Sequence, residues 1–138
     1  MNKIKFLILA FAVNLISFGQ INTEADLIGK WAVNEMIDKP TEAQFKPILE
    51  AFEKSTFNFK PNKQIEITTT NATELFNLMK MEIFNEEAKW QFDESEQLIR
   101  IGNENEGFSW MIIKIKSNNE EPIFHIEETE LTMRLRKL

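Results

Sequence analysis

Short apolar runs that alternate with polar residues, each ended by a turn, constrain this chain more than any single residue does. Phe57 and Phe59 share one face, Pro61-Asn62-Lys63 turns, and Ile65 and Ile67 share the next face. Successive strand side chains point to opposite faces, so two such runs about a turn predict a hairpin with one apolar side. The pattern recurs in Ala88, Trp90 and Phe92, in Leu98 to Ile101 beyond the turn Asp93-Glu94-Ser95-Glu96, in Phe124 with Ile126, and in Leu131 with Met133 and Leu135. After a loop from Asn103 to Gly107, Phe108 to Ile115 reads as the longest strand, with Phe108, Trp110 and Ile112 on one face and Met111, Ile113 and Ile115 on the other. The rhythm of long helix and strand that a parallel sheet needs is missing. The expected fold is all-β: an antiparallel up-and-down β-barrel of eight or nine strands.

Two stretches change period. Between Asp38 and Ser55, Thr41-Glu42-Ala43-Gln44 matches a capping box, and Pro47 forbids one uninterrupted helix because it lacks an amide proton and crowds the preceding turn. A helical turn is expected there, then a second helix starting near Pro47 with Phe45, Ile48, Leu49 and Phe52 as its apolar stripe. It would either lid the barrel mouth or plug it. In residues 71–84, Leu75, Phe76 and Met79 suit a helix, whereas Met79, Met81 and Ile83 alternate with Lys80 and Glu82 as a strand would. The expectation is a helical turn followed by a strand.

The first strand, expected from Leu27 to Met36, carries Gly29-Lys30-Trp31. Trp beside Gly suits a crowded, closed end where backbones approach closely. A buried indole needs an acceptor for its N–H and favours a cation over its face, for which the last strand offers Arg134 and Arg136. Gly29-Lys30-Trp31 resembles the Gly-x-Trp signature on the first strand of the lipocalins. The segment from Phe124 to Leu135 looks like the final hairpin of the small bacterial lipocalin-like domains, in which a late Arg often covers that Trp. The resemblance implies a lipocalin-like barrel over nearly all of residues 20–138, with Gly29, Trp31 and one of Arg134 and Arg136 as its structural signature. The Thr-Asp-Tyr turn of classical lipocalins is absent, and the chain has no Tyr. That departure points to the shorter bacterial relatives.

Residues 1–19 have the parts of a secretory signal: Lys3 and Lys5, an apolar run from Phe6 to Ile16, and Ser17-Phe18-Gly19 before the expected cleavage. The expected mature domain is 20–138, one barrel, periplasmic or extracellular and not inserted in a membrane. With no Cys in the chain, lipid attachment through an N-terminal Cys is impossible and packing must supply the stability that disulfides give many exported domains. The whole chain has a net charge of −6, and removal of Lys3 and Lys5 makes it more negative. Nucleic acid and anionic membranes need a basic patch to bind, so neither is an expected partner.

Chemistry is sparse. The single His125 points opposite to Phe124 and Ile126, and one His without Cys makes no His-rich zinc site. Asp93-Glu94-Ser95-Glu96 lacks the ligand spacing and Gly of a calcium loop, and no Ser sits in a Gly-flanked elbow. No enzyme activity, metal or cofactor is expected. Concave apolar binding remains. The expected inward set is Phe57, Phe59, Ile67, Trp90, Phe92, Trp110, Ile112 and Met133, which would suit a lipid-like or flat hydrophobe. Arg100 and Lys114 would hold a carboxylate there if either turned inward. Those same large side chains can instead fill an eight-stranded barrel completely. Two functions follow: carriage of a small hydrophobic molecule in the barrel interior, or, with a filled core and an exposed apolar patch, a protein-interaction or inhibitor module.

Overall fold

The computed structural model describes residues 21–117 and 121–138; the expected signal peptide lies outside them. A single helical turn, α1 (Glu24–Leu27), precedes β1 (Gly29–Asp38). A 3-10 turn (Ala43–Phe45) and α2 (Lys46–Glu53) lead into the hairpin of β2 (Ser55–Phe59) and β3 (Ile65–Thr69). Helix α3 (Glu74–Ile83) follows, then β4 (Lys89–Asp93), β5 (Leu98–Gly102), a 3-10 turn (Glu104–Glu106), β6 (Met111–Ser117), β7 (Ile123–Ile126) and β8 (Thr132–Lys137).

The eight strands form one antiparallel sheet in the order β3-β2-β1-β8-β7-β6-β5-β4. Every strand lies beside its neighbour in sequence except at the β3/β4 seam, and β1 joins the two halves by pairing with both β2 and β8. Bulges between Val33 and Glu35 and between Met36 and Asp38 bend β1 enough to serve both partners. The seam closes through the bridge between Gln64 and Lys89, the Trp90 amide donating to the Lys63 carbonyl at 2.9 Å, and the Trp90 indole donating to the Lys60 carbonyl at 3.1 Å. The result is a nearly closed up-and-down barrel. Its β1–β2, β3–β4, β5–β6 and β7–β8 connections leave from one end, which α2 and α3 cap.

Aromatic rings run through the barrel in contact with one another. Phe57 lies 6.4 Å from Phe52, 6.3 Å from Phe59, 6.2 Å from Phe84 and 6.3 Å from Phe124 between ring centroids. Phe59 meets Trp90 edge to face at 5.7 Å. Ile67, Ile99, Ile101, Ile113, Met133 and Leu135 are fully buried around this column. Each such side chain contributes about 1.5–3 kcal/mol by leaving water, and offset or edge-on ring pairs add to that.

Residues 71–84 form one helix and no strand. Thr73 caps it: its hydroxyl accepts from the Phe76 amide at 3.3 Å and donates to the Pro47 carbonyl at 3.0 Å. Phe76, Met79 and Ile83, three and four residues apart, turn toward the core, and Phe76 packs edge-on against Phe52 at 5.5 Å. Helical spacing therefore accounts for the buried residues, and the alternation of Met79, Met81 and Ile83 is incidental. The segment 41–53 follows expectation in outline, with a 3-10 turn and then a helix holding Pro47 in its first turn, but Glu42 and not Thr41 precedes the turn. Leu49 and Phe52 are buried, Ile48 half-buried and Phe45 exposed.

The β5–β6 connection also departs from expectation. Gly102 has φ +158°, and a Cβ there would stand 2.9 Å from the Phe108 backbone, so this close crossing requires glycine. Phe108 itself is left-handed at φ 52°, which ends strand pairing, and β6 begins only at Met111. In β6 it is Ile113 and Ile115 that are buried, so Ile112 belongs to the outward face. Trp110 lies before the strand, packed at the rim of the core, with its indole N–H donating to the Glu106 carboxylate. The longest strand is β1.

Candidate functional site

Trp31 is 1% exposed, and its indole N–H donates to the Leu27 carbonyl at 2.8 Å, an acceptor that α1 holds in place. The cation over its ring is Lys137, with Nζ 5.4 Å from the centroid, and not Arg134 or Arg136. Alternation along β8 gives the reason. Met133 and Leu135 face the barrel, so Lys137 shares their side and pairs in register with Trp31, while Arg134 and Arg136 face outward. Arg134 meets Glu35 at 2.8 Å on the surface, and Arg136 is exposed. Gly29 has φ +129°, a backbone conformation that L side chains rarely adopt, and the Lys137 side chain lies at ordinary contact distance, 3.4 Å, from where a Cβ would stand. Lys137 Nζ also donates to the Asp26 carbonyl at 3.2 Å. Burial alone would raise the Asp26 pKa, but the amides of Asn22 and Thr23 at 3.0 Å each, the Thr23 hydroxyl and Lys137 offset this and hold it below the ordinary aspartate value. These contacts lock the closed end of the barrel.

Five of the expected inward residues, Phe57, Phe59, Ile67, Trp90 and Met133, are wholly buried and come together in the packed column. Phe92 is half-buried against the core and Trp110 lies at its rim, while Ile112 points outward opposite Arg100. Neither basic candidate turns inward: Arg100 lies across from Gln91 and Ile112, and Lys114 donates to the Glu96 carbonyl.

Three open recesses differ in chemistry, one of them, of about 510 Å³, holding Lys39 and Lys46 beside Glu42, Glu50 and Glu53. A cleft of about 690 Å³ runs along β4, lined by Trp90, Phe92, Arg100, Phe108 and several charged residues of both signs. Among the described residues Glu24 and Lys63 pair across it and Asp93 bonds the β4–β5 turn, whereas Glu87, Lys89, Arg100 and Glu104 make no ion pair. Lys63 pairs with Glu24 and lies 4.3 Å from the Trp90 ring, its pKa lowered by burial. The Ser95 hydroxyl and Glu96 amide lower the Asp93 pKa. The third is a groove of about 420 Å³ at the helix-capped end, between the 3-10/α2 corner and the β7–β8 turn. Phe45, Ile48, Leu49, Pro40 and Leu131 form its apolar walls, and Glu42, Glu128 and Glu130 stand along it.

Local hydrogen bonds shape that turn. The Thr129 hydroxyl donates to the Ile126 carbonyl at 2.7 Å and accepts from the Leu131 amide at 3.0 Å, and Glu128 is left-handed at φ 66°. Leu131 is thereby turned toward α2. In sequence the groove is split between residues 40–49 and 128–131, and its only visible signal was the stripe of Phe45, Ile48, Leu49 and Phe52. No family model, curated protein or solved structure matches this chain.

Proposed function

We propose that this chain is a binding protein that takes a small hydrophobic molecule in the groove between α2 and the β7–β8 turn, with the barrel interior as packed scaffold. The reading keeps the exported, lipocalin-like carrier expected from sequence and moves its ligand from the interior to the capped rim. One observation carries it: an apolar recess of about 420 Å³, within the size range of small-molecule sites, stands open beside a column of rings already in mutual contact. Uptake of a neutral hydrophobic dye such as N-phenyl-1-naphthylamine tests it. Saturable binding is expected, weakened at least about tenfold by Phe45→Asp or Ile48→Asp, since a charge in an apolar site costs on the order of 1.4 kcal/mol or more. No saturable uptake, or uptake indifferent to both substitutions, would overturn the reading.

A second reading, docking of a protein partner, is favoured by the outer face of α3. Leu75, Leu78 and Met81 are 40%, 55% and 71% exposed there. Clustered large apolar side chains of this kind mark interaction surfaces.

A further inference from the structure

The groove carries charge of one sign. Glu42, Glu128 and Glu130 line it, and no Lys or Arg does. Among the described residues these three carboxylates make no hydrogen bond or ion pair. In the adjoining recess, which shares Glu42 with the groove, Lys39 pairs with Glu53 at 3.2 Å and Lys46 stands 4.0 Å from Glu50. Acids also outnumber bases in the connections at this end, Glu127 and Glu104 with Glu106 among them, and low-dielectric walls focus such a field into a recess. Phe45, 39% exposed, offers an aromatic face to which a positive charge is attracted.

Resting on the groove as the binding site, we infer that its ligand is a cationic amphiphile: an apolar chain or ring system seated against Ile48, Leu49 and Leu131, with an ammonium-type head among Glu42, Glu128 and Glu130. A carboxylate-bearing lipid meets repulsion at the same rim. The uncompensated charge is what distinguishes the two, since the apolar walls accept either tail.

The test displaces the neutral dye with dodecyltrimethylammonium, dodecyl maltoside and dodecanoate, each below its micelle concentration. The cationic chain should bind about tenfold more tightly than the neutral one at low salt, as three exposed charge contacts of about 0.5 kcal/mol each would give. Dodecanoate should bind weakest, and the cationic advantage should shrink as salt rises. The triple variant Glu42→Gln, Glu128→Gln, Glu130→Gln should lose the advantage, read as the ratio of cationic to neutral chain affinity on that same variant, whereas Glu94→Gln with Glu96→Gln, between β4 and β5, should retain it. Equal binding of cationic and neutral chains, or an advantage that survives the triple variant, overturns the inference while the groove stands. Failure of the dye and every chain to bind overturns both.

Discussion

Trp31 shows how one residue's needs organise the closed end. Its indole requires an acceptor and its face favours a cation, and Leu27 and Lys137 supply them from opposite ends of the described chain. The position of the cation follows from strand parity, not from residue type. Lys137→Met, which keeps an apolar stem over the ring, should cost about 1 kcal/mol in urea unfolding, while Arg136→Ala, on an exposed side chain, should stay within about 0.5 kcal/mol. Equal losses would mean that Lys137 does not hold the Trp. This parity was legible in advance: Met133 and Leu135 set the inward side, which places Arg134 and Arg136 outside and Lys137 inside. The same alternation keeps the expected cations Arg134 and Arg136 away from the ring.

Among the elements, α1 is a single turn that depends on side chains for its stability. The Asp26 carboxylate accepts from the amides of Asn22 and Thr23 and so holds the turn that presents the Leu27 carbonyl. Its pKa is lowered in the fold, so the stabilisation is complete above the unfolded-state value and is lost as pH falls through the lower folded value. Thermal melts across the acid range should show the wild type losing stability relative to Asp26→Asn in that window. Parallel curves would remove Asp26 from the account. The hairpin of β2 and β3 was legible because period two and a Pro-Asn turn agree there. Residues 71–84 were not, because a short apolar run satisfies both periods until the packing of Phe76 on Phe52 decides between them. The late start of the strand expected from Phe108 was equally hidden, since the left-handed Phe108 goes with the tight crossing at Gly102 and not with its own preference.

Across the whole molecule, the proposed function divides the barrel into a packed scaffold and a binding rim. Strand alternation made the ring of strands and much of its core readable, because burial imposes that period on the sequence. The candidate site was not readable, since residues 45–49 and 128–131 meet only when α2 folds back over the end of the barrel. The rings of Phe52, Phe57, Phe59 and Trp90 pack against one another inside the barrel, and the proposed ligand site is the open groove with its unpaired carboxylates. The most direct test follows backbone amide resonances while N-phenyl-1-naphthylamine is titrated into the protein. Saturating shifts should concentrate at Phe45, Ile48, Thr129 and Leu131, with Phe59 and Ile99 unmoved. Shifts centred on Phe59, Ile67 and Ile99, with the groove silent, would place the ligand inside the barrel and contradict the account.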